Sequence, residues 1–178
     1  MEDSKNGYGF LNVYCGVDTK YTCTELHRNT NYKFRICAHN EDGKSPFSEA
    51  PTYRTLADRP KPPSPPSIKG KPYPTKLILM WTPPHDDGGS SVTNFKVEIE
   101  KGSNYEGVYD GPNTECECTD LTPGTNYRVR ACASNSGGCS DWSASSLLTT
   151  EPVCPGQCRP PQLLTKPKAS LLQLRWGK

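Results

Sequence analysis

Leu121-Thr122-Pro123-Gly124-Thr125-Asn126-Tyr127 is the stretch on which the fold turns. A leucine, a proline–glycine turn and a tyrosine lead into the run Asn126 to Asn135. There Tyr127, Val129, Ala131 and Ala133 alternate with Arg128, Arg130 and Cys132. Alternation with a period of two marks a strand with one face buried, so the first set is expected inside and the second outside. The stretch also has a counterpart. Cys118-Thr119-Asp120-Leu121 matches Cys23-Thr24-Glu25-Leu26, and Thr125-Asn126-Tyr127 matches Thr30-Asn31-Tyr32, at an offset of 95 positions (118 − 23). The same offset pairs Cys37-Ala38 with Cys132-Ala133, Thr55 with Thr150, Pro60 with Pro155, Pro65-Pro66 with Pro160-Pro161 and Trp81 with Trp176. A period that survives a proline-rich connector means tandem copies of one unit.

Three units follow. Residues 1–59 read as the C-terminal part of one repeat, 60–153 as a complete domain, and 154–178 as the N-terminal part of a further repeat. Lys76 to Trp81, Val92 to Lys101, Tyr105 to Tyr109, Thr114 to Leu121, Asn126 to Asn135 and Trp142 to Thr150 read as strands of the complete unit, separated by turn clusters such as Asp86-Asp87-Gly88-Gly89. Short strands at this spacing predict an all-β domain: two antiparallel sheets packed face to face in an immunoglobulin-like sandwich. The expected fold is therefore tandem β-sandwiches, one complete and two truncated. In the first unit, Tyr32, Phe34 and Ile36 are expected to lack a covering sheet.

The turn Leu121 to Tyr127 resembles the tyrosine corner of fibronectin type III domains, in which the phenol bonds backbone just upstream. Trp81 before Pro83-Pro84, the Asp-Gly-Gly-Ser loop and the closing Thr149-Thr150 fit the same family. The first copy carries the corner as Leu26 to Tyr32, with Arg28-Asn29 where the second has Pro123-Gly124. The resemblance implies structural roles for Trp81, Leu121, Tyr127, Trp142, Leu26, Tyr32 and Trp176. Pro65 to Pro72 and Leu174 to Gly177 further resemble repeats of the fibronectin type III domain-containing protein 3 group. That group implies a tail-anchored array on the cytosolic face of ER or Golgi membranes, with the anchor outside this stretch.

Composition narrows the function. With 21 Lys+Arg against 19 Asp+Glu the formal net charge is +2, and the charges are interspersed, which argues against nucleic acid. No run is long and apolar enough to cross a bilayer, and no apolar stretch follows Met1 as in a signal peptide. Nine cysteines suggest a disulfide framework. Against it stand the odd number, the recurrence of Cys23/Cys118 and Cys37/Cys132 at the repeat offset, and the lack of any Asn-x-Ser/Thr acceptor. A reduced, cytosol-facing environment is expected.

Chemistry-bearing constellations are thin. Cys116-x-Cys118 falls on a strand with both thiols expected in the core, and Cys154-x3-Cys158 lies in a connector without a nearby histidine. Cys132 and Cys139 could approach each other, but Cys139 has Lys44 as its counterpart, so both are read as free thiols. Asp86-Asp87 reads as turn-forming. Trp142-Ser143-Ala144-Ser145 partly resembles the Trp-Ser box of cytokine receptors, with Arg128 and Arg130 placed to stack on Trp142. No catalytic, cofactor-binding or metal-ligating residue is assigned, and an enzyme is not expected. The connector holds Arg59-x-x-Pro62-x-x-Pro65, either a polyproline II ligand for an SH3-type groove or a stiff spacer. The expected function is a protein-binding and spacer module with protein partners and no small-molecule substrate. The alternative is an ectodomain fragment of a cell-surface adhesion or cytokine-type receptor.

Overall fold

The structure, a computed structural model, describes residues 1–3 and 7–177. It is all-β, and its centre is a two-layer sandwich. One layer is the three-stranded sheet of β6 (Ser67–Ile68), β7 (Leu77–Met80) and β10 (Glu115–Cys118), in the order β10-β7-β6. The other holds β8 (Asn94–Lys101), β9 (Asn104–Gly111), β11 (Asn126–Asn135), β12 (Gly138–Cys139) and β13 (Ser146–Thr149). Its order is β12-β11-β8-β9, with β13 also on β11.

Register follows the alternation. Val129 faces Ile99, Ala131 faces Val97 and Ala133 faces Phe95 across β11 and β8. All six are buried, so the two strands present one continuous apolar face. Leu77 and Leu79 of β7 stand opposite Cys118 and Cys116 of β10 and close the core from the other layer. Each such leucine contributes roughly 1.5–3 kcal/mol by leaving water. Trp81 packs against Phe95 (5.9 Å between centroids) and Tyr109 (5.6 Å), and its indole N–H finds no acceptor among the described residues.

The last strand is shorter than the expected Trp142 to Thr150. Before Ser146 the chain still follows β11, but hydroxyls replace part of the ladder: Ser140 Oγ accepts from the Ala133 N–H and Ser143 Oγ from the Ala131 N–H, both at 3.0 Å. Ser45 and Ser48 do the same for Ala38 and Ile36 in the first copy.

Around the centre, β1 (Glu2–Asp3), β2 (Asn31–Lys33) and β5 (Thr52–Arg54) form one sheet in the order β1-β2-β5, and β3 (His39–Asn40) pairs with β4 (Gly43–Lys44). Beyond the sandwich, β14 (Gln162–Leu163) pairs with β15 (Leu174–Arg175). Two expectations need correction. Cys132, placed on the outer face, is buried, because Lys96 lies directly across in register and the β12 turn folds alongside. Tyr32, expected to lie uncovered, is buried too, since β1 and β5 flank it and its hydroxyl is held by the turn before it. Ile36 stays exposed as expected.

Candidate functional site

The connector at residues 58–66 does not hang free. A polyproline II segment has three residues per turn, so every third side chain shares a ridge. Pro60, Pro63 and Pro66 form one ridge and are buried against the sandwich. Arg59, Pro62 and Pro65 form the neighbouring ridge, with Arg59 and Pro65 exposed and Pro62 half-buried. The backbone is tied down as well: the Lys61 N–H donates to the Asp86 carbonyl (2.9 Å) and the Ser64 N–H to that of Thr82 (3.1 Å). The Arg59 guanidinium is engaged by Asp141, with both nitrogens on its carboxylate at 3.0 and 3.4 Å.

Just upstream the first unit meets the sandwich. Arg28 Nη2 donates to Asp86 Oδ1 at 2.7 Å, and Asn29 Nδ2 donates to the Gly89 carbonyl at 2.7 Å. The Asp58 N–H donates to the Gly88 carbonyl (2.9 Å), while the Asp58 carbonyl accepts from Asn135 Nδ2 (2.9 Å). That amide, also within reach of the Asp87 and Ser90 carbonyls, binds the connector and the loop Asp86 to Ser90 together. Its own Oδ1 accepts from the Gly137 N–H at 2.7 Å.

Glycine is required twice here. A Cβ on Gly88 (φ +76°) or on Gly137 would collide with the Asp58 carbonyl, so these two loops accept the connector only because they lack side chains there. Asn29 takes a left-handed φ of 50°, the conformation that Gly124 takes in the second copy, and adds an amide that reaches across. Arg28-Asn29, a departure from the Pro-Gly of the second copy, thus supplies the contact between units.

The charges agree with this geometry. The Arg28 guanidinium, then the Gly88 N–H, hold the Asp86 carboxyl below its usual range. A depressed carboxylate contributes its share above the unfolded pKa and loses it as pH falls through the folded one, so the contact is fully charged at neutral pH. Asp87 caps the Gly89 N–H at 2.8 Å. Both acids of the pair therefore serve the turn and the joint.

The residues expected to be structural fall into two groups. Tyr127 accepts from the Thr122 N–H at 2.9 Å and Tyr32 from the His27 N–H at 2.8 Å, so both corners form; Trp81 and Leu121 are buried and Leu26 is half-buried. Trp176 is exposed. Trp142 stacks with Arg130 (4.5 Å), not Arg128, which instead pairs with Glu100. Arg130 is also covered by Tyr105 (3.8 Å) and held by Glu98 at 2.7 and 3.0 Å. The reading of the chain missed the matching triad, Phe10–Arg35–Phe47, with ring distances of 3.9 and 4.0 Å. The repeat offset itself was the available signal, since it pairs all three positions with Tyr105, Arg130 and Trp142.

The cysteines scatter. Burial pushes the Cys116 thiol up to about 12 and raises Cys118 and Cys132 as well. Cys139 stands opposite Ser134 rather than Cys132, with its sulfur 3.1 Å from the serine oxygen. Cys15 Sγ lies 3.8 Å from His39 Nε2, and Cys154 and Cys158 are exposed. Among the described residues no three His, Cys, Asp or Glu side chains converge as metal ligands, and no helix is long and apolar enough to cross a membrane.

The family model for the fibronectin type III domain matches residues 61–148. Over 99% of its length the chain is 44% identical to fibronectin type-III domain-containing protein 3a of Gallus gallus and 43% identical to the 3A protein of Homo sapiens. It spans only 15% of the length of either relative. Among solved structures, a human FNIII domain in solution superposes with a TM-score of 0.54 at 34% identity, covering 59% of this chain and 90% of that one.

Proposed function

Because this chain belongs to the fibronectin type III family, with its matched domain at residues 61–148, we propose that it is a spacer and protein-interaction segment of a repeat array facing the cytosol at ER or Golgi membranes. Domains of this family mediate protein interactions and are generally non-catalytic. One observation carries the spacer reading: Arg28, Asn29 and Asp58 fasten the first unit and the connector to two loops of the next domain. A joint held at several points transmits orientation along an array, whereas a free connector does not. The ridge of Arg59, Pro62 and Pro65 belongs to that joint, since Asp141 occupies the arginine and the adjoining proline ridge is buried. The cytosolic reading rests on the resemblance to the 3A proteins, and on a register that holds Cys139 opposite Ser134 instead of a second thiol.

Residual dipolar couplings of the 178-residue chain test the joint. One alignment tensor should describe residues 26–57 and 61–150 together. Replacing Arg28→Pro and Asn29→Gly, the residues the second copy carries, should split it into two. Two independent tensors in the unaltered protein would sink the spacer reading. For the compartment, titration of the denatured, unreduced protein should count nine thiols. A count of one or three would instead favour the cell-surface alternative.

A further inference from the structure

Four hydroxyl residues of this chain are followed directly by proline: Ser45, Ser64, Thr82 and Thr122. Thr122 is locked in the tyrosine corner, where its N–H donates to Tyr127 and its carbonyl accepts from Thr150 Oγ1 at 2.6 Å. Ser45 closes on Ala38 beside the β3–β4 hairpin, its N–H donating to the Ala38 carbonyl and its Oγ accepting from the Ala38 N–H. Thr82 follows β7, and Leu79 and Trp81 just before it are buried, which keeps that stretch inside the sandwich. Ser64 is different. It lies in the extended connector between Pro62-Pro63 and Pro65-Pro66, whose rings fix φ at about −65°. In the three-residue period of that segment it shares the third ridge with Lys61; Lys61 and Pro65 are exposed and Ser64 is half-buried. Ser64 Oγ accepts from the Thr82 N–H at 2.8 Å, while the Ser64 N–H donates to the Thr82 carbonyl at 3.1 Å. With the Lys61 bond to Asp86, that reciprocal pair latches the polyproline segment to the sandwich.

We propose that Ser64 is a phosphorylation site for a proline-directed protein kinase, and that its phosphate unlatches the connector from the central domain. This regulation rests on the cytosolic spacer reading, which supplies both access to ATP and a joint to release. Pro65 offers no backbone N–H just after the serine, so a kinase pocket without an acceptor at that position takes proline and penalises other residues. The flanking prolines keep the segment extended once it lifts, and the few bonds holding it make local opening cheap. In the transfer, Ser64 Oγ attacks the γ-phosphorus of kinase-bound Mg–ATP. The Oγ–P bond forms as the bond from that phosphorus to the β,γ-bridging oxygen breaks; ADP leaves, and the hydroxyl proton passes to the catalytic carboxylate of the kinase. The product no longer fits the latch. Oγ becomes an ester oxygen bearing a group of about −2 charge, at the point where the Thr82 N–H stands 2.8 Å away. Pro63 and Pro66, on either side, are packed against the sandwich, so seating them would press that group onto Thr82.

Incubating the 178-residue chain with Mg–ATP and, in turn, an active mitogen-activated and an active cyclin-dependent protein kinase tests the site. Peptide mass mapping should place a phosphate on Ser64. Pro65→Ala should slow its addition by about tenfold or more, the cost of stranding a new N–H in the kinase pocket. The Thr82 amide should exchange with solvent about tenfold faster in the phosphorylated chain, having lost its acceptor. The single alignment tensor of residues 26–57 and 61–150 should then split in two. The Thr82 amide reports the latch even where two tensors already describe the unmodified protein, so failure of the spacer reading and failure of this site are told apart. No phosphate on Ser64 from either kinase overturns the proposal. So does a phosphorylated chain whose Thr82 amide exchanges as slowly as before.

Discussion

Compare two strands of the same sequence pattern, Asn31 to Asn40 and Asn126 to Asn135. In the second, Tyr127, Val129, Ala131 and Ala133 are all buried. In the first, Tyr32 is buried, Phe34 half-buried and Ile36 exposed, and the continuous strand shrinks to three residues. Local alternation is similar, yet only one copy becomes a long strand. What differs is cover: β8 lies along six residues of β11, and Leu77 and Leu79 close its inner face, while β2 has two-residue β1 and three-residue β5. Alternation proposes a buried face, and a second layer decides whether it is buried.

That contrast can be broken most strongly in the core. Leu79→Ala should destabilise the central domain by about 2–5 kcal/mol, because it opens a cavity in a face with no room to collapse. Leu174→Ala, at the corresponding exposed position, should leave the urea midpoint unmoved. Equal effects would mean that the outer sheets are as well packed as the centre. Smaller is Tyr127→Phe, which leaves the Thr122 N–H without its partner and should cost about 1–3 kcal/mol. Tyr32→Phe breaks the same bond in the first unit and should not shift the central transition in urea. The smallest effect belongs to the joint: the Arg28→Pro, Asn29→Gly variant should change orientation between units with no change in the central midpoint, because its contacts are exposed and screened.

Much of the centre was legible in advance. Asn126 to Asn135 is a strand with the expected ends because its alternation is unbroken, and both tyrosine corners form because their hydrogen bonds close within five residues. Cys132 was misplaced because alternation says which face a residue takes, not what lies over that face. Arg130 was anticipated on Trp142 but its second ring was not, since Tyr105 arrives from β9 and no local pattern announces it. The meaning of Arg28-Asn29 was equally hidden: the departure from Pro-Gly was visible, while its partner Asp86 lies 58 residues away.

The amino-acid sequence by itself determined the repeat, the strands with their inner and outer faces, and the corner turns, because each rests on contacts between near neighbours or on a period. Tertiary structure alone decided the joint, the stacked arginines and which apolar faces are covered. These depend on loops brought together across long separations, as when Asn135 reaches the Asp58 carbonyl 77 positions away. Such a meeting is set by how the two layers pack, and packing is a property of the whole sandwich rather than of any one segment.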